Sequence, residues 1–379
     1  MARLVRRRGM LGTVVCAAGG ATPPPRSAHA AEPPGGTAWR RARQLGPGVN
    51  LSLWQDPLGA PAAGEGHGTL AEVAALGFRH VRLPVDPAAA VAGMRQGPDV
   101  ARRMAERLAD DIAAARRHGL AAILDMHPSD AFRQRLASDP GERRRFAGTW
   151  AVIARALSGL DPEGLVFELL NEPGEALGPS WHGLQAELAR AVRGEAPEHT
   201  ILAAGANFST VADLRRLAPL PDANLIYSFH CYAPMLFTHQ GADWAPPFAR
   251  VSGVPYPLSL RHIRAVEAAM PPEERPVIAE EGRGGHGWDA ARLEALLAQA
   301  GAWSRQRGLP VICTEFGAFR DGGADPADRR RYLADMRSAL ARHAQAWTLW
   351  DYSGGFGVVR EERGSRQIDR PMLRALGLG

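Results

Sequence analysis

Two glutamates stand at the ends of apolar runs: Glu172 in F-E-L-L-N-E-P and Glu315 in I-C-T-E-F-G. Carboxyl groups can serve as proton donor, base or nucleophile, and a pair can divide those roles if their surroundings set their proton affinities apart. Other apolar runs end in groups of similar use. Arg82 lies in H-V-R-L-P-V, His127 in L-D-M-H-P, His230 and Tyr232 in S-F-H-C-Y, and Trp350 in T-L-W-D-Y, while Asn171 directly precedes Glu172. Each alone has an ordinary structural explanation as a loop cap, a satisfied histidine, a turn or a core tryptophan. Six such run ends become a site only if the fold brings them to one place.

The elements that would do so alternate. Eight apolar strand candidates cover 48–54, 80–85, 121–127, 165–171, 200–206, 225–232, 310–316 and 346–352. Most are near-continuous apolar runs, as parallel strands buried on both faces require. Helical patterns fall between them at 69–76, 99–118, 143–157, 181–195, 258–270, 289–307 and 328–343, and several end in Gly just before the next strand (A-L-G-F-R, R-H-G-L-A, Q-R-G-L-P). This alternation predicts an α/β fold, a (β/α)8 TIM barrel in a single domain. A doubly wound sheet is the other option, but no G-x-G-x-x-G follows the first strand. Barrel chemistry sits at the C-terminal strand ends, where the polar groups above fall. Residues 231–257, rich in Pro and aromatics, read as an enlarged loop after the sixth strand.

With these motifs in place, the chain resembles family 5 of the glycoside hydrolases, the cellulase-type retaining glycosidases of clan A. The resemblance runs from G-V-N-L-S-L-W to T-L-W-D-Y-S-G-G-F-G. It implies Glu172 as acid/base and Glu315 as nucleophile, with Arg82, His127, Asn171, His230, Tyr232 and Trp350 as the remaining substrate-site positions. Retaining hydrolysis needs two carboxyl groups about 5–5.5 Å apart. Arg82 is expected beside Glu315 to keep its charge, with Tyr232 donating to the same carboxylate. Glu172 is expected to be protonated at rest, raised by partial burial and the second carboxylate. Asn171 would bond the sugar 2-hydroxyl, and Trp350 would carry the pyranose ring. Trp54, Trp181 and Trp244 are either outer sugar-binding positions or ordinary packing.

Competing signals are weaker. Glu168, four residues before Glu172, is expected one layer deeper as a buried acid paired with an Arg. Glu280 and Glu281 read as a solvated loop. Asp125, His127 and His230 lack compact metal-ligand spacing. Alternation turns Cys231 away from the barrel interior and Cys313 into it, which argues against a disulfide between them.

Composition excludes other classes. Of 379 residues 45% are hydrophobic, too many for a disordered chain, and three Cys make no disulfide framework. The net charge of +5 lies entirely within residues 1–30, where Arg3, Arg6, Arg7, Arg8 and Arg26 meet no acid. The remaining 40 cationic side chains equal the 40 acids. All cations are Arg, scattered among acids, so no nucleic-acid groove is indicated. A basic start, a short apolar run and A-H-A at 28–30 form a signal-peptide layout, through either the general or the twin-arginine route; a basic cytosolic N-terminus is the other reading. The sequence thus predicts a secreted or periplasmic monomer that needs no metal or organic cofactor, with no membrane association after signal removal. The expected activity is endo-β-1,4-glucan hydrolysis, with β-mannan, xyloglucan or another β-glucan as alternative substrates. A non-catalytic carbohydrate-binding barrel is a further alternative, which the two glutamates disfavour. A serine hydrolase is disfavoured by the lack of G-x-S-x-G.

Overall fold

The computed structural model describes residues 35–52, 67–362 and 365–379, so the signal-peptide reading and Trp54 lie outside the described residues. Eight parallel strands close into a barrel in sequence order. They are β1 (Pro47–Asn50), β2 (His80–Val85), β3 (Ala121–Met126), β4 (Leu165–Glu168), β5 (Thr200–Ala204), β6 (Leu225–His230), β7 (Val311–Phe316) and β8 (Trp347–Leu349). Closure comes from β1, which pairs with both β2 and β8. The expected (β/α)8 architecture is therefore correct. Helices Pro98–Arg117, Pro140–Leu157, Trp181–Glu195, Ala290–Arg307 and Pro326–His343 bury their apolar faces in the layer outside the strands. Their ends follow local rules: Gly308 takes the left-handed conformation (φ 66°) that stops Ala290–Arg307, as the Q-R-G-L-P pattern predicts.

The barrel interior has an apolar floor and a polar upper layer. Ile123, Val166, Leu202, Ile226 and Ile312 form the floor, closed from below by Ala42 and Leu45 of the helix Thr37–Leu45. Above it Asn50, Arg82, Asp125, Glu168 and Thr314 are all fully buried. Fixed alternation along each strand allows this: one strand supplies a floor residue and, two positions on, a polar one.

Two readings need correction. The excursion after β6 extends to residue 289, not 257. Helices Leu260–Ala269 and Arg275–Glu281 belong to it, and Ala290–Arg307 is the barrel helix. Second, Cys313 does not face the interior. The β6–β7 register steps from Phe229↔Cys313 to His230↔Glu315, so Thr314 is an extra residue in a bulge. Ile312 and Thr314 point inward, Cys313 outward, and the bulge then returns Glu315 to the interior. Cys231 and Cys313 are both free and buried in the outer apolar layer.

His80 of β2 lies under the site, with Nδ1 on Leu45 O at 2.9 Å and Nε2 on Thr348 Oγ1 at 2.8 Å. A Cβ on Gly48 would lie 2.1 Å from its ring, so β1 needs glycine there. Burial, helped by the charge of Arg82 and opposed by the bond to Leu45, drives His80 down to about 4. The folded state therefore binds fewer protons than the unfolded one between pH 4 and 6.5, and stability falls as pH drops through that window. From pH 7 to 5 the loss from His80 alone is about 2 kcal/mol. Chemical denaturation at the two pH values should show it, and His80→Gln should remove that part of the slope; an unaltered slope would contradict the account.

Candidate active site

A cavity of about 800 Å³ opens at the C-terminal strand ends. His127, Asn171, Glu172, His230, Tyr232, Glu315 and Trp350 all line it, and Arg82 lies directly beneath. All eight residues singled out in the sequence thus come together. A second cavity, about 770 Å³, lies on the barrel's outside among helices Pro87–Arg95, Pro98–Arg117 and Pro140–Leu157, away from every strand end.

Arg82 organises the site from below. Its Nε and Nη2 donate to Glu168 at 2.7 and 3.0 Å. Nη1 donates to Asn50 Oδ1 and Glu315 Oε1, both at 2.8 Å. Nη2 also reaches Asn171 Oδ1 at 2.8 Å and Asp125 Oδ2 at 3.0 Å. Burial disfavours the cation, but Asp125, Glu168 and Glu315 outweigh it and hold Arg82 well above its ordinary range. Glu168 is the buried, Arg-paired acid expected. Burial pushes its carboxyl up despite Arg82, and Asp125 adds to the rise.

The network continues to the cavity floor. Asn171 turns Oδ1 to Arg82, which leaves Nδ2 to face His127 Nε2 at 3.3 Å. His127 Nδ1 then carries the proton and donates to Asp125 Oδ2 at 2.9 Å. Its ring stacks on Trp350, centroids 5.5 Å apart and planes 22° apart. Trp350 is therefore a cavity wall, not a core residue.

Glu172 and Glu315 face each other above this layer. One carboxylate oxygen of each lies within 4.8 Å of one of the other. His230 sits between them, with Nδ1 at 2.8 Å from Glu172 Oε1 and 3.6 Å from Glu315 Oε2, and Nε2 at 3.1 Å from Thr314 Oγ1. Tyr232 Oη donates to Glu315 Oε2 at 3.0 Å. Burial, reinforced by the two carboxylates, raises Tyr232 well above its usual value, so it stays a neutral donor.

The expectation of a raised Glu172 needs correction. Burial does push it up, but the hydrogen bond and charge of His230, with His127 and Arg133 adding, hold it below its ordinary value. Burial in turn lowers His230, and Glu315 and Glu172 outweigh that to raise it. The pair therefore holds its proton on His230, one hydrogen bond from Glu172.

Glu172, His230 and Glu315 are also close enough to ligate a metal ion. The ring nitrogens of His230 are already engaged, and Arg82 occupies the charge of Glu315. A resident cation fits poorly against that guanidinium.

Sequence reasoning missed several groups. Arg133 Nε donates to the Glu172 carbonyl at 2.6 Å and stabilises a backbone at φ 37°, costly for a residue with a Cβ. Phe208, 54% exposed, projects into the cavity between Asn207 (φ 53°) and Ser209 (φ 54°). Neither position carries a sequence signal, since each depends on contacts across strands. Glu281 was read as solvated with Glu280; instead it ends the helix Arg275–Glu281 and is one of the residues lining the cavity. Of the outer tryptophans, Trp181 is buried packing, its Nε1 donating to Ala204 O. Trp244 is 58% exposed and lines the cavity against Phe319.

With this geometry in hand, comparison with known proteins is informative. Residues 46–355 match the cellulase domain of glycosyl hydrolase family 5. Endoglucanase 3 of Fibrobacter succinogenes is 27% identical over 357 residues, 89% of this chain and 53% of that protein. The chain therefore spans about half the length of that relative. Endoglucanase C of Acetivibrio thermocellus is 26% identical over 302 residues, 77% of this chain and 85% of that one. A structure of Thermotoga maritima Cel5A in complex with cellobiose superimposes with a TM-score of 0.72 at 25% identity, covering 89% of this chain and 99% of that one.

The His230–Glu172 arrangement has a direct spectroscopic test. In NMR titrations of the imidazole, His230 should titrate above 6.5, and Glu172→Gln should move it down by removing the bond and charge that raise it. An unmoved or rising His230 in the variant would contradict the pairing.

Proposed function

This chain belongs to glycosyl hydrolase family 5, and on that premise we propose that it is an exported, retaining endo-β-1,4-glucanase that cleaves β-glucan by double displacement on two glutamates. One observation carries the reading. One carboxylate oxygen of Glu172 lies within 4.8 Å of one of Glu315, with His230 bonded to Glu172 and facing Glu315. That spacing suits direct attack on the sugar by one carboxylate. An inverting enzyme holds its carboxyl groups about 6.5–9.5 Å apart to admit a water.

In the first step the Glu315 carboxylate attacks the anomeric carbon as the glycosidic C–O bond breaks. The departing oxygen takes a proton that passes from His230 through Glu172 along their 2.8 Å bond, which leaves Glu172 ionised and His230 neutral. Arg82 and Tyr232 orient Glu315 through separate oxygens, 2.8 and 3.0 Å away. In the second step Glu172 takes a proton from water and returns it to His230, while the water oxygen displaces Glu315 from the anomeric carbon and releases the sugar. Asn171, fixed by Arg82, is placed to bond the 2-hydroxyl, and Trp350 to carry the ring. Trp244 and Phe208 extend the aromatic walls toward neighbouring sugar units. The endoglucanase relatives support a β-1,4-glucan substrate. No helix among the described residues is long and apolar enough to cross a membrane.

Glu172→Gln should lower kcat/KM on carboxymethylcellulose about 10²–10⁴-fold, and Glu315→Gln should leave almost no turnover. NMR of the first product should show the β anomer. Wild-type rates in either variant, or initial α product, would overturn the assignment. Parallel reducing-sugar assays on mannan, xylan and mixed-linkage glucan should give lower rates than carboxymethylcellulose.

A further inference from the structure

We propose that Glu281 is a substrate-binding residue that sets chain-length preference, its carboxyl taking the hydroxyls of a neutral pyranose held beyond the catalytic pair, on the wall built after β5 and β6. The proposal rests on the glycosidase reading above. Glu281 comes from the long excursion between β6 and the helix Ala290–Arg307, yet it lines the same cavity as Glu172 and Glu315. The same cavity is lined by the apolar Val211, Ala212, Met235 and Leu296.

The carboxyl is poorly served by the protein. Leu236 N donates to Oε1 at a long 3.3 Å. No cation among the described residues bonds it. Arg292 stacks on Trp288 with its guanidinium carbon 4.0 Å from the ring centroid, and donates to the carbonyls of Arg283, His286 and Gly287. Glu280 pairs with Arg283 instead. The helix end is secured independently, since Trp288 Nε1 donates to the Glu281 carbonyl at 2.9 Å. Burial drives the carboxyl up to about 7, against the opposing influence of the Leu236 and Met235 N–H groups and Arg292. A carboxyl set in a cavity wall with backbone N–H groups but no cation as partners keeps acceptor capacity for a ligand.

Sugar hydroxyls are suitable completing partners. One carboxyl can engage two adjacent hydroxyls of a pyranose, while Met235 and Leu296 meet its C–H faces. A carboxyl there discriminates by leaving itself unpaired when no sugar unit reaches it. Short substrates that span only the catalytic centre gain nothing from it; longer chains do.

The test compares wild type, Glu281→Ala and Glu281→Gln on cellohexaose and on p-nitrophenyl cellobioside. The ratio of the two kcat/KM values should fall about tenfold in Glu281→Ala, mainly through KM for cellohexaose. Glu281→Gln, which keeps hydrogen-bonding capacity, should recover most of it. An unchanged ratio, whether both activities hold or both fall together with thermal stability, would overturn the proposal and leave Glu281 as a tie between helices. Wild-type protein that cleaves neither compound would instead overturn the glycosidase reading, and this inference with it.

Discussion

One buried cation sets the architecture of the site. Arg82 is wholly enclosed, and its donors meet Asn50, Asp125, Glu168, Asn171 and Glu315. Taking a guanidinium out of water is expensive, and the expense is offset only when every donor finds an acceptor in good geometry. The acceptors come from β1, β3, β4 with the segment that follows it, and the distant β7, so the closed barrel is what assembles the shell. Each acceptor is fixed in turn, and Asp125 passes the constraint to His127 and thence to Trp350. The cavity floor is thus the upper surface of a solved electrostatic problem.

Backbone strain supplies the next level of control. Glu172 holds a left-handed conformation beneath Arg133, and two more such residues flank Phe208. These segments support one another: Gly174 N donates to Asn207 O, and His230 N donates to Ser209 O, both at 2.8 Å. Each turn would relax if isolated. Bonded in series, they lock the loop after β4 to the end of β6, the two places that deliver Glu172 and His230.

Much of this was legible in the amino-acid order. Apolar runs and glycine stops marked all eight strands, and the polar residues ending them converged as expected. Legibility failed where geometry departs from periodicity. Alternation predicted Cys313 inward because nothing in I-C-T-E-F marks the bulge that shifts the phase. Glu281 looked solvated because E-E-G-R-G-G is a loop composition, yet the preceding residues form a helix end turned into the cavity. The proton affinity of Glu172 was misjudged because its closest partner, His230, lies 58 residues away in sequence. Partnerships across the barrel mouth have no local signature.

The outward turn of Cys313 has a chemical consequence. Burial pushes the Cys231 thiol up to about 12 and raises Cys313 well above its ordinary value as well. Neither sulfur forms appreciable thiolate at neutral pH, and thiolate is the form that oxidants and disulfides attack or are attacked by. The barrel closes without a cross-link between Cys231 and Cys313, and both thiols are buried. The folded barrel therefore keeps Cys231 and Cys313 as thiols whatever the redox poise around it.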